Sequence, residues 1–238
     1  MKTALITGAS RGIGRAIAKA FAAKDYDLHL TCRENIEMLN ELGKELSNKY
    51  NVKVFTHKTD MSKSEEVFKM FSQIESLDVC VNNAGISYVG LLHQMSNDDW
   101  DRIIGTNLNS VFYTSKCATA LMLKEHAGSI INISSVWGNI GASMEVAYSA
   151  SKGGVNSFTK ALARELAPSN ISVNAIACGF VDTSMNAHLS EEERNAVLSE
   201  IPANRFATCE DIAKVAVSLA EMPSYLTGQI ITVDGAWT

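Results

Sequence analysis

Short apolar runs alternate along the chain with longer segments whose apolar residues return at helical spacing. Thr3-Ala4-Leu5-Ile6 and Ile130-Ile131-Asn132-Ile133 are of the first kind and read as buried strands; Arg15 to Ala22 is of the second and reads as a helix. The pattern predicts strands near residues 2–7, 27–31, 52–57, 77–82, 128–133, 171–176 and 229–234. Helices are predicted at 12–24, 35–49, 62–75, 97–124, 147–167 and 209–221. Strands alternating with helices imply an α/β fold, a parallel sheet covered by helices on both faces. No linker or internal repeat interrupts the alternation, so residues 1–238 read as a single domain.

Composition narrows the function classes. The 238 residues are 46% hydrophobic and 20% charged, ordinary values for a globular chain that buries a sizeable core. A net charge of −5 argues against nucleic acid as the main partner. The five cysteines (Cys32, Cys80, Cys117, Cys178, Cys209) are dispersed with no Cys-x-x-Cys pair, so neither zinc, nor any other metal, nor a disulfide framework is expected. Met1-Lys2 leads directly into the first strand, with no signal peptide evident, and no apolar stretch approaches the ~20 residues of a membrane span. A reducing, cytoplasmic setting is the expectation.

Two motifs carry chemistry. Thr7-Gly8-Ala9-Ser10-Arg11-Gly12-Ile13-Gly14 joins the first strand to the first helix. Glycines there let backbone N–H groups approach a pyrophosphate at the helix N-terminus, so Gly8, Ser10, Arg11, Gly12, Ile13 and Gly14 are candidate cofactor residues. The spacing is Gly-x-x-x-Gly-x-Gly rather than Gly-x-Gly-x-x-Gly. The second motif is Tyr148-Ser149-Ala150-Ser151-Lys152, whose Tyr and Lys fall on one helix face a turn apart. A neighbouring ammonium favours a phenolate, so Lys152 is expected to draw Tyr148 down from its ordinary pKa of ~10. Ser135 follows the apolar run at 130–133, where a strand end can hold its hydroxyl at a substrate oxygen.

Together these motifs resemble those of the short-chain dehydrogenase/reductases, and the resemblance runs nearly the length of the chain. It implies a Rossmann fold, a doubly wound seven-stranded parallel sheet of order 3-2-1-4-5-6-7. Asn82-Asn83-Ala84-Gly85 is similar to the family's Asn-Asn-Ala-Gly signature, with Asn83, Ala84 and Gly85 along the cofactor. By the same resemblance Asp60, followed by Met61, accepts from the adenine amino group, and Gly179, Val181 and Thr183 approach the nicotinamide. Asn107 matches a fourth catalytic residue that kinks its helix and holds a relay water. The implied tetrad is Asn107, Ser135, Tyr148 and Lys152, the last two also meeting the cofactor. Ser134 is set aside by its spacing to Tyr148, and Ser149 and Ser151 are given no chemistry.

Arg33 after the second strand, with Arg11 in the glycine loop, favours NADP(H) over NAD(H), since guanidinium groups suit a 2′-phosphate. Glu34 can instead turn to the ribose, or pair with Arg33. Cys178 and Cys209 stand where relatives carry proline; a more mobile loop and a buried, inert thiol are expected at Cys178. Residues 184–208 read as a lid over the substrate.

Within the family the chain looks most like bacterial 3-oxoacyl-[acyl-carrier-protein] reductases. That resemblance implies NADPH-dependent reduction of a 3-oxoacyl thioester in fatty acid biosynthesis, acyl-carrier protein as a partner and a homotetramer built on the helices at 97–124 and 147–167. The stretches before the fifth and sixth strands offer only Lys124 and Arg164, beside Glu125 and Glu165, to an acidic carrier. Three alternatives are set beside this: a reductase of small ketones, acyl-CoA thioesters or polyols; a sugar-nucleotide epimerase or dehydratase of the extended branch, against which the loop spacing argues; and a nucleotide-binding or redox-sensing protein without turnover, against which the retained Tyr148 and Lys152 argue.

Overall fold

The computed structural model describes residues 1–187 and 189–238; position 188, inside the expected lid, lies outside the described residues. Seven parallel strands form one sheet: β1 (Thr3–Ile6), β2 (Asp27–Cys32), β3 (Val54–Lys58), β4 (Val79–Asn82), β5 (Gly128–Ser135), β6 (Ile171–Cys178) and β7 (Ile230–Val233). Their order is β3-β2-β1-β4-β5-β6-β7, as the resemblance implied. β5 and β6 are buried almost end to end, the mark of a sheet covered on both sides.

Alternate side chains go to opposite layers. Ile6, Leu28, Leu30, Val81 and Ile133 meet α1 (Gly12–Ala22), α2 (Ile36–Tyr50) and α9 (Cys209–Glu221). Leu5, Cys80, Ile130 and Val173 meet α3 (Ser64–Phe71), α5 (Ser110–Glu125) and α7 (Val146–Leu166). In that second layer a buried polar string fixes the central strands. Asn82 Nδ2 donates to Asn132 Oδ1 (2.8 Å) and Ser115 Oγ (3.1 Å), and Asn132 Nδ2 to Thr159 Oγ1 (2.8 Å). Each amide buried here has a partner, which keeps its desolvation from becoming a net cost.

Three features depart from the periodicity. The stretch expected as one helix at 97–124 is helical throughout but divides into α4 (Asn97–Ile104), a π turn at Gly105–Asn109, and α5. A one-turn α6 (Trp137–Ile140) follows β5. Inside the expected lid lies α8 (Glu191–Glu200), which buries no residue and so carries no apolar stripe to announce it. Its legible signal was the capping box, in which the Ser190 hydroxyl accepts from Glu193 N (3.2 Å) and the Glu193 carboxylate from Ser190 N (2.8 Å). α9 starts without proline because Thr208 and Asp211 form a second such box.

At the β3 edge, His29 Nδ1 and His57 Nε2 share a hydrogen bond of 3.0 Å, and Phe55 stacks on His29 with centroids 4.8 Å apart. Burial, then the His57 charge, lowers His29 from 6.5 to about 4, with Asp27 opposing; burial lowers His57 as well. A base held neutral by folding stabilises the fold above its unfolded pKa and loses that contribution as pH falls. Stability is therefore expected to drop by about 1–2 kcal/mol between pH 6.5 and 4, a figure discounted for solvent at the ring edges. Denaturant titrations across that range should show the drop in the parent protein and a smaller one in His29→Gln.

Candidate active site

β1 and β4 are neighbours whose connections leave in opposite directions, which opens a crevice at their carboxyl ends. The glycine turn is locked to the β4 exit through Thr7, whose hydroxyl accepts from Asn83 N and Ala84 N, both at 2.9 Å. Asn83 Nδ2 donates in return to the carbonyls of Thr7 (2.8 Å) and Gly8 (3.1 Å). A Cβ on Gly14 would stand 2.4 Å from Gly8 O and 2.5 Å from Asn83 Nδ2, so only glycine lets α1 start this close. No side chain caps α1 and no acidic residue occupies its first turn, which leaves its first N–H groups available to an anion. Ser10, Arg11 and Ile13 belong to this turn, and Thr183 reaches it from beyond β6, its Cγ2 lying 3.8 Å from where a Gly12 Cβ would be.

The rest of the expected dinucleotide groove is spread along the same edge. Arg33, at the end of β2, is exposed and its guanidinium pairs with Glu34, Nε to Oε1 being 3.0 Å; of the two roles open to Glu34, the structure shows the pairing. Asp60 Oδ1 accepts from Ser62 N (2.9 Å) and Oγ (2.7 Å), and Met61 is buried with its Sδ 3.5 Å from Thr31 Oγ1. Val181 is buried in a bridge to Ala207, and Gly179 N donates to Val233 O (2.9 Å).

Four expected catalytic side chains converge between β5 and α7. Ser135 Oγ accepts from Trp137 N at 3.2 Å, and the Ser135 hydroxyl lies near enough to Tyr148 to favour its phenolate. Ser134 turns the other way, giving its hydroxyl to Asn156 Oδ1 (2.6 Å). Lys152 is 4% exposed; its Nζ donates to Ile133 O (2.8 Å) and sits 5.6 Å from the Tyr148 ring centroid. Asn107, at the centre of the π turn, spends its amide on Ile86: Oδ1 accepts from Ile86 N and Nδ2 donates to Ile86 O, each at 2.9 Å. Nδ2 also donates to Ser151 Oγ at 3.1 Å. A Cβ on Gly85 would stand 3.4 Å from Asn107 Oδ1 and 3.6 Å from Lys152 Nζ, so strand exit, π turn and α7 meet at one point.

The electrostatics correct one expectation. Lys152 does not draw the phenol down: Tyr148 is pushed above its ordinary value, by burial first and then by the Cys178 thiol and Glu145, with only Ser135 opposing. The one-turn spacing lays the ammonium over the ring face rather than at the hydroxyl. Burial also lowers Lys152 from 10.5 to about 8. Cys178 is the last residue of β6, paired with Ser135 on one side and Val233 on the other, and burial pushes its thiol up to about 12. Cysteine keeps its N–H here, and β6 ends on it.

Sequence reasoning passed over Thr7, which ties the glycine turn to Asn83, and Ser151, which supports Asn107. Ser151 is fully buried and also donates to Tyr148 O (2.7 Å), a position the helical phase of the Tyr-x-x-x-Lys motif could have revealed. Trp137 and the apolar mouth were passed over as well. Val89, Leu92, Ile140, Met144 and Met185 are all exposed on the loops after β4, β5 and β6, the first and second of which are joined by Gly90 N donating to Met144 O (2.8 Å).

Known proteins align with this arrangement throughout. Residues 2–194 match the model of the short chain dehydrogenase family. The 3-oxoacyl-[acyl-carrier-protein] reductase FabG of Aquifex aeolicus (strain VF5) is 40% identical over 98% of this chain and 96% of its own. YmfI of Bacillus subtilis (strain 168), an uncharacterized oxidoreductase, is 40% identical over 99% and 98%. Among solved structures, an Agrobacterium tumefaciens protein provisionally assigned as a gluconate dehydrogenase superposes with a TM-score of 0.93 at 31% identity, over 99% of this chain and 95% of that one. Glycine turn, sheet order and family match agree, and the chain belongs to the short-chain dehydrogenases.

Proposed function

We propose that this protein is an NADPH-dependent carbonyl reductase acting on 3-oxoacyl thioesters. The observation that carries the reading is the meeting of Ser135, Tyr148, Lys152 and Asn107 at the β5–α7 junction, beside a glycine turn shaped for a dinucleotide. The residues fit the cofactor: an uncapped helix start and a Gly14 cradle for the pyrophosphate, Asp60 for adenine, and Gly179, Val181 and Thr183 for the nicotinamide end. Arg11 and the Arg33 guanidinium favour a 2′-phosphate, Arg33 exchanging its exposed Glu34 partner, a pair worth about 0–1 kcal/mol in water.

When bound, the reduced nicotinamide supplies a hydride to the carbonyl carbon. Ser135 donates a hydrogen bond to the carbonyl oxygen and orients it. Tyr148 gives that oxygen its phenolic proton, and its raised pKa suits a donor that stays protonated at neutral pH. The Lys152 ammonium, bonded to Ile133 O and lying over the Tyr148 ring face, holds the ribose hydroxyls. Asn107 positions Ile86 and Ser151 and borders the path by which solvent reprotonates the phenolate.

An apolar mouth supports an acyl substrate, as do the names of the FabG relatives. A second reading, a polyol dehydrogenase, is favoured only by the gluconate assignment of one structural neighbour, and the apolar rim speaks against it. We take residues 1–238 as one cytoplasmic catalytic unit that assembles as a tetramer through α5 and α7. Val111 is committed to the core, whereas Phe112 is 48% exposed and available to such an interface. Among the described residues no helix is long and apolar enough to cross a membrane.

Two measurements test the reading. NADPH consumption should be fastest with acetoacetyl-CoA and β-ketoacyl carrier-protein thioesters among a panel that includes quinones, diketones and sugars. Turnover confined to polyols or sugars would remove the thioester assignment. Arg33→Ala should raise the KM for NADPH about tenfold, the worth of one charge-assisted contact, and leave that for NADH within about twofold. Equal use of both coenzymes by the parent enzyme would remove the phosphate-binding role.

A further inference from the structure

The C-terminal residues after β7 touch three walls of the cleft at once. Gly179, which follows β6, packs so closely on the tail that a Cβ there would stand 2.6 Å from Asp234 Cβ. Ala203, just past α8, donates its N–H to Gly235 O (3.1 Å). Trp237 Nε1 donates to Glu200 Oε2 (3.1 Å) at the end of α8. The Trp237 ring meets Trp137 edge to face, with centroids 5.0 Å apart and an interplanar angle of 62°. Trp137 is the residue whose N–H holds Ser135 Oγ.

The tail adopts this path against its own preference. Gly235 and Ala236 are both left-handed, at φ +71° and +67°, and alanine is rarely found there. Asp234 enforces the turn, its Oδ1 accepting from Ala236 N (3.0 Å) and its Oδ2 from Thr238 N (2.8 Å) and Oγ1 (3.0 Å). A non-glycine residue held in this region by surrounding bonds is a place to look for function. What the turn achieves is to carry one indole from the chain end onto the loop that holds Ser135.

We propose that Trp137 and Trp237 form an aromatic stop behind Ser135 that limits the length of the group carried on the substrate carbonyl. Trp237 is the specificity-determining residue, and Glu200 is a positioning residue that fixes the indole and links it to α8. Rings in van der Waals contact leave no channel between them. A substituent extending past Trp137 must displace Trp237, breaking the edge-to-face contact and the bond to Glu200. Short acyl groups stop before that point and long ones do not.

This inference rests on the carbonyl-reductase reading, so the test separates the two. kcat/KM is measured on straight-chain 3-oxoacyl N-acetylcysteamine thioesters of four to ten carbons and, in parallel, on straight-chain 2,3-diketones of the same lengths. The parent enzyme should favour short members. Trp237→Ala should raise the ten-to-four-carbon ratio at least tenfold, through KM for the long members, with the KM for NADPH within twofold. Glu200→Gln should raise it about threefold, and Trp237→Phe, which keeps a ring but loses the same bond and guards against misfolding of the alanine variant, should raise it by a similar threefold and no more. A ratio unchanged in Trp237→Ala, or an equal loss at every length, overturns the stop. Diketone reduction without thioester reduction overturns the thioester assignment only, the length ratio then being read on diketones. A parent protein inert to both series overturns the reductase reading and the stop together.

Discussion

Tyr148→Phe is expected to lower turnover by about 10³–10⁴-fold and to change the dissociation constant for NADPH by less than about twofold. The phenyl ring keeps the face on which Lys152 lies, 5.6 Å from the ring centroid, so the packing of α7 against β5 survives. Only the hydroxyl is lost, together with its interaction with Ser135. In the parent, burial holds that hydroxyl protonated at neutral pH, which makes it a donor to a nascent alkoxide rather than a base. Without it the oxygen must take its proton from water, and the acid-catalysis factor of about 10²–10⁴ is forfeited along with part of the oxygen's stabilisation. Single-turnover NADPH oxidation gives the chemical step, and quenching of protein fluorescence gives coenzyme affinity. A loss below tenfold would remove Tyr148 as the proton donor.

The pH dependence of the same reaction belongs to Lys152. Its ammonium is charged below about 8 and loses its proton above, so reduction should be sustained at neutral pH and decline as pH rises through that value. The decline approaches tenfold per unit once the neutral amine dominates, because only the ammonium form holds the ribose hydroxyls as a charged donor. Tyr148, pushed higher still, does not titrate in this window. A rate that rose through the same range would mean that the phenolate, not the phenol, is the working form.

How much of this was legible in the sequence depends on what kind of interaction fixes each part. β1 and β5 announce themselves because parallel strands buried on both faces need unbroken apolar runs, and Leu5-Ile6 and Ile130-Ile131 supply them. α8 was invisible to periodicity because it buries nothing, and only its capping box marks it. The π turn at Asn107 hides in a helical pattern, since one residue added to a turn shifts the apolar phase too little to read. Tyr148 and Lys152 were placed correctly on one face, yet their electrostatic relation was misjudged. Spacing gives proximity along the helix, whereas the pKa follows from burial, which depends on β5, β6 and the Cys178 thiol packed from elsewhere. Trp237 could not be read at all: its role depends on a left-handed Ala236 that no propensity favours.

Gly14→Ala should be the most damaging single methyl in the molecule, and Gly12→Ala beside it a mild one. The two glycines differ in what surrounds them. At Gly14 a Cβ would lie 2.4 Å from Gly8 O and 2.5 Å from Asn83 Nδ2, with Ala9 Cα at 3.0 Å. None of these can yield cheaply. Gly8 O already accepts from Asn83 Nδ2 (3.1 Å), and Asn83 is tied through Thr7 to the β4 exit, so relief means moving α1 off the sheet or breaking the link between the glycine turn and β4. Overpacking of this kind costs about 2–3 kcal/mol, which for a chain of this size lowers Tm by roughly 5–10 °C. Coenzyme affinity should fall further, by about a hundredfold or more, because the N–H groups facing the pyrophosphate move with the helix. At Gly12 the nearest atom to a Cβ is Thr183 Cγ2 at 3.8 Å, and the penalty is the left-handed backbone alone, φ +56°, about 1 kcal/mol. Calorimetry and NADPH titration on both variants separate the cases. Should Gly14→Ala bind NADPH as the parent does, the close approach of α1 to the β4 exit is not what shapes the pyrophosphate site, and the phosphate must be held by side chains such as Arg11 instead.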